Sequence, residues 1–182
     1  MLGEWFCVLT NFVCTVPIII CYKKQLIIDA SLIAITGGAS FIYHFNRLIY
    51  PICDQVAIRN TDIIMANLIV IHTGNCILFR FSNMQRVSAD LLWLPVVIYT
   101  AESVVTMRLI GMGVFGVLCQ LWWLHHKVNY LWRWMTGGVI GVCVQLVFFN
   151  TANAYGEYYE WLHGMHHIMA FTSQASFIYG IL

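Results

Sequence analysis

The chain has 182 residues, 60% of them hydrophobic and 15% aromatic, but only 9% charged. A soluble domain carries about a quarter charged residues and a disordered chain is polar and highly charged, so both classes are excluded. Nine Lys+Arg against eight Asp+Glu leave a net charge of +1 and no basic stripe, which excludes nucleic acid as a partner.

With a mean hydropathy of +0.77, the expected class is an all-α, polytopic membrane protein. A membrane-spanning helix needs about 20 apolar residues, and seven such runs fill the chain as a single domain, 1–182. The first, 3–22, is longer than a signal-peptide core and no small-residue cleavage site follows it, so it is expected to stay in the mature protein. The second, 27–49, carries Gly37-Gly38, Ser40 and His44. The third, 61–80, opens on Asp62 and has His72 in its middle. The fourth, 88–106, contains Pro95, and the fifth is 108–125. The sixth, 129–150, contains Gly137-Gly138. The seventh, 159–181, begins with the run W-L-H-G-M-H-H. Pro17 and Pro95 read as kinks that neighbouring helices satisfy. The glycine pairs read as places where helices approach closely. Short segments of alternating polarity, the mark of a membrane β-barrel, are absent from the sequence.

Loop charges give the orientation. Lys23, Lys24, Arg80, Arg86 and Lys127 fall on one side, with Arg133 just inside the sixth run. Arg47, Arg59 and Arg108 fall on the other side, diluted by Asp54, Glu102, Glu157 and Glu160. The positive-inside rule then puts the N-terminus outside or lumenal and the C-terminus in the cytosol. Trp122, Trp123, Trp132 and Trp134 collect at the inner ends of the fifth and sixth runs, as an interfacial aromatic belt does. The seven cysteines are scattered without metal-ligand spacing. Most read as small apolar groups, with a Cys7–Cys53 disulfide left open on the outer side.

Polar groups within a span are costly and therefore point to function. His163 and His167 are i and i+4, so their rings leave one helix face a turn apart, the spacing two ligands of one metal ion need. His166 is rotated about 60° from His163 and about 100° from His167, to the other side of the pair, and is expected to stand aside. Ser40 and His44 share the i, i+4 relation on the second run. His44, Asp62, His163 and His167 all fall near the outer ends of their helices, so three imidazoles and a carboxylate share one layer. Three neutral imidazoles leave the fourth position of zinc open, as in a catalytic site. His72 reads instead as a hydrogen-bonding group between helices, and His125 and His126 as interfacial residues. Haem would need ligands from facing helices, and retinal would need a lysine within the bundle, whereas Lys23, Lys24 and Lys127 all lie in loops.

S-x-x-x-H in the second run, an Asp opening the third and H-x-x-x-H in the seventh resemble the CREST superfamily of seven-helix membrane proteins. That group includes alkaline ceramidases, adiponectin/progestin-type receptors, and the myomaker branch with its GPI phospholipase A2 relatives. The resemblance implies that His44, His163 and His167 hold zinc, that Asp62 contacts the metal-bound water and that Ser40 supports the site. Ceramidases place the acid soon after the histidine and carry acidic residues near the N-terminus. Here Asp54 and Asp62 lie ten and eighteen residues after His44, and Glu4 alone precedes the first run. The chain is therefore more similar to the myomaker/GPI phospholipase branch.

The expected function is a zinc-dependent hydrolase of a lipid amide or ester, with a metal-bound water as nucleophile, Asp62 as proton acceptor and Ser40 orienting His44. The alternative is a membrane-remodelling or cell-fusion protein in which zinc clamps helices. The expected partner is a membrane lipid, as substrate or bound ligand, and a homo-oligomer is compatible with the apolar exterior. The expected location is the plasma membrane or the endoplasmic reticulum and Golgi, with the site on the extracellular or lumenal side.

Overall fold

The computed structural model describes residues 2–49, 54–78, 83–100, 132–154 and 156–181. Among them the chain is helical throughout, without a strand. The helices are α1 (Leu2–Thr10), α2 (Thr15–Lys23), α3 (Ile27–Ile49), α4 (Gln55–Leu78), α5 (Asn83–Thr100), α6 (Trp132–Ala154) and α7 (Tyr159–Ile181). The second and seventh runs read from the sequence coincide with α3 and α7. The fifth, 108–125, lies outside the described residues, as do Cys53, His125, His126, Trp122 and Trp123. Two stretches, Leu2–Lys23 and Ile27–Ile49, are long and apolar enough to cross a membrane.

The first stretch is broken by a 3-10 turn at Asn11–Cys14. Pro17 has no N–H for the Val13 carbonyl, which weakens the helix ladder just there. The side chains of Thr10 and Asn11 compete for the same backbone, both donating to the Cys7 carbonyl, at 2.8 and 3.0 Å. A short reversal then joins α2 to α3. Gln25 adopts a left-handed conformation at φ 60°, Leu26 N–H donates to Cys21 O at 2.9 Å, and Gln25 N–H donates to Tyr22 O at 3.0 Å. That is a Schellman closure, and Leu26 packs back onto the cluster containing Cys21, Ile33 and Phe171.

The start of α4 differs from the sequence expectation. The helix begins at Gln55, so Asp62 sits two turns inside it rather than at its first residue. Asp54 is what starts it: its Oδ1 accepts from Val56 N at 2.9 Å and from Ala57 N at 3.4 Å, the geometry of an N-cap.

One glycine of each pair lies against a neighbour and the other does not. A Cβ on Gly37 would lie 2.5 Å from Cys14 Sγ, and one on Gly138 would lie 2.8 Å from the Phe177 ring. A Cβ on Gly38 would meet nothing within 4 Å. Ser173 Oγ donates to Gly138 O at 2.6 Å, so α6 and α7 are tied where they come closest.

Among the described residues polar and apolar side chains share the interior: Asp29, Ser40, His44, His72, His163, His167 and Gln174 are buried, as are Ile33, Ile71 and Phe177, while Leu9, Phe12, Ile19, Ile35, Ile42 and Leu92 stand exposed.

Candidate metal centre

Three helices meet at one end of the fold. On α3, Ser40 and His44 lie one turn apart and both are buried. On α7, His163 and His167 do the same. The third contributor is α1, through Cys7 and Thr10, also buried. What brings α1 so close is Gly164, between the two α7 histidines. A Cβ there would lie 2.7 Å from the Phe6 ring and 3.4 Å from the Cys7 Cα. The Phe6 ring in turn stacks on Trp161 at 4.8 Å.

The imidazole centroids form a nearly equilateral triangle: His44–His163 and His44–His167 are 4.9 Å apart, and His163–His167 is 4.7 Å. Cys7 Sγ lies 3.5 Å from His44 Nδ1. One donor atom from each of Cys7, His44, His163 and His167 falls within 4.8 Å of every other, so this buried cluster can hold a metal ion. His166, turned away on the same helix, is not among the four donors.

Hydrogen bonds decide which nitrogen of His167 is available. The Thr10 hydroxyl gives its one proton to the Cys7 carbonyl. Toward His167 Nδ1, 3.3 Å away, Thr10 Oγ1 therefore accepts, which puts the proton on Nδ1 and the lone pair on Nε2. Ser40 Oγ is 3.4 Å from that Nε2 and is placed to donate to it, with Asp62 near the same hydroxyl. His44 Nε2, by contrast, is buried with no hydrogen-bond partner among the described residues. Buried polar atoms are rarely left so, and this orphaned nitrogen in a His3Cys donor set fits a borderline-soft divalent metal.

Of the residues named from the sequence, His44, His163, His167 and Ser40 share one site, and Asp62 joins them through Ser40. Asp54 does not; it caps α4 instead. Cys7 and Thr10 are additions. Nothing in C-x-x-C spacing could have found Cys7, which lies about one turn into α1 and meets the histidines only through the packing of α1 on α7.

The mouth of the site is polar. A small pocket reaching His44 is lined by Glu4, Arg47, Leu48 and Glu160. Arg47 bonds Glu160 at 3.1 Å and lies over the rings of Tyr43 and Tyr159, at 5.7 and 5.6 Å. No protein-family model matches this chain, and no curated protein matches it in sequence.

Proposed function

We propose that this chain is a seven-helix membrane protein of the CREST type that holds zinc on His44, His163 and His167 and hydrolyses an amide or ester of a membrane lipid. The observation that carries the reading is the triangle of buried imidazoles with the Ser40–Asp62 pair at its edge. Support for the membrane comes from two helical stretches long and apolar enough to span it and from the many large apolar side chains left exposed, which lipid solvates at least cost. Orientation from the loop charges puts the site in the outer or lumenal leaflet, of the plasma membrane or of the endoplasmic reticulum and Golgi.

Zinc, when bound, supplies Lewis-acid chemistry, polarising a carbonyl and acidifying water. The protein's own groups do the rest. Thr10 fixes the tautomer and plane of His167. Asp62 is the proton acceptor for the attacking water and returns that proton to the leaving amine or alkoxide. Ser40 holds the Asp62 carboxylate in place. Arg47, at the mouth with its tyrosines, is suited to an anionic or polar head group.

A second reading is favoured by Cys7. Four protein donors complete a tetrahedral zinc and make a closed, structural site that clamps α1, α3 and α7, as a membrane-remodelling protein would use it. Elemental mass spectrometry of detergent-purified protein, combined with a lipid-hydrolysis assay, separates these readings. The hydrolase reading expects one equivalent of zinc to be lost in His163→Ala/His167→Ala. It also expects Asp62→Asn to keep that metal while turnover falls by about 10²-fold or more. No hydrolysis of any phospholipid or ceramide by zinc-loaded wild type would leave the clamp; unchanged metal in the double variant would defeat both.

A further inference from the structure

At the other end of the bundle a second group of side chains is unused by this chemistry. Asp29, near the start of α3, lies fifteen residues before His44 on the same helix, about 22 Å away. Beside it on α4 are His72 and Cys76, at i and i+4, so both project toward α3. All three are buried to 3% exposure or less. Their donor atoms close a triangle: Asp29 Oδ1 to His72 Nε2 is 3.1 Å, Asp29 Oδ1 to Cys76 Sγ is 3.2 Å, and His72 Nε2 to Cys76 Sγ is 3.4 Å.

The geometry points to a second metal site, in which Asp29, His72 and Cys76 bind a divalent ion of the zinc class. Tetrahedral zinc with ordinary Zn–N, Zn–O and Zn–S lengths separates its donors by about 3.3–3.6 Å, close to the three distances here. The donor set is chemically apt: a hard carboxylate, a borderline imidazole and a soft thiol together select zinc over calcium or magnesium.

The surroundings add an independent argument. His72 Nδ1 donates to Asp90 Oδ2 of α5 at 2.6 Å, and Asp90 Oδ1 accepts from Asn75 Nδ2 at 2.7 Å. A ligating histidine is normally oriented by giving its other N–H to a carboxylate, which is itself hydrogen-bonded. Here that chain of support is in place, and it leaves Nε2, beside Asp29 Oδ1 and Cys76 Sγ, as the nitrogen that would ligate.

The test is metal stoichiometry on the full chain, expressed with zinc and stripped of loosely held ions in detergent. About two zinc ions per wild-type chain are expected, one for each donor group. Cys76→Ser, nearly isosteric, loses one of them. His163→Ala/His167→Ala loses the other and keeps the one that Cys76→Ser removes. Cobalt loading in the Cys7→Ser background reads the same site without counting: a thiolate-to-cobalt charge-transfer band is present there and is lost when Cys76→Ser is added. Zinc content and cobalt band both unchanged in Cys76→Ser would overturn the proposal, leaving Asp29–His72–Asp90 as a polar clamp between helices, whatever the outer histidines do. If His163→Ala/His167→Ala fails to fold, Cys76→Ser in the otherwise native chain still decides.

Discussion

His167 shows how much of a site can hang on one hydroxyl. Thr10 spends its proton on the Cys7 carbonyl and so must accept from the imidazole, which sets the tautomer. Thr10→Val removes that acceptor while keeping the shape. The expected result is a 10–100-fold weaker zinc affinity, as for other outer partners of metal ligands, measured by competition with a chromophoric chelator. Affinity equal to wild type would mean that Thr10 does not set the orientation of the ring. Cys7 is the residue on which the two functional readings divide. As a permanent fourth ligand, its loss in Cys7→Ser lowers both zinc content and thermal stability. As a bystander to a catalytic ion, it leaves zinc content near wild type. Arg47 and Glu160, by contrast, form a partly exposed pair worth about 0–1 kcal/mol, so their removal is expected to leave stability nearly unchanged in a thermal melt.

Among the elements, α1 is the one whose position is most fragile. It is short, ends in a 3-10 turn and reaches the site because Gly164 offers no side chain to Phe6. Gly164→Val drives a branched side chain into that ring, an overpacking cost of about 1–3 kcal/mol. We expect α1 to shift and zinc content to fall. Gly38→Ala is the matched control, since its Cβ enters open space. It is expected to leave zinc bound and to raise stability by about 0.4–1 kcal/mol. Equal behaviour of the two variants in a metal assay and a thermal melt would remove Gly164 from this role. At the other end of the bundle α3, α4 and α5 are held differently, by hydrogen bonds among Asp29, His72, Asn75 and Asp90. His72 is indeed a link between helices, as its mid-helix position suggested, but its partners are carboxylates.

For the whole molecule, metal binding and fold stability are one quantity. A ligand that binds only the folded state at a thousand times its dissociation constant contributes about 4 kcal/mol. Stripping zinc with a strong chelator is therefore expected to lower the melting temperature by on the order of ten degrees, followed by tryptophan fluorescence in detergent. Restoration by zinc and not by magnesium is part of the expectation, since the donors are nitrogen and sulfur. An unchanged melt would mean that the clusters are held by hydrogen bonds alone.

Apolar runs of helical length carried the all-helical fold among the described residues, and the breaks between them carried the bounds of α3 and α7. The i, i+4 rule carried the histidine pairs, since helix geometry is local and needs no knowledge of neighbours. Boundaries set by a single side chain, such as the Asp54 cap that moves the start of α4, were not legible from hydropathy. Neither was Cys7, whose role depends on Gly164 and on a 3-10 turn that aims one helix at another. Least legible was the Asp29–His72–Cys76 group, three residues 43 to 47 positions apart across two helices. Local sequence dictates which face of a helix a residue occupies; only the packing of helices against each other decides which faces meet.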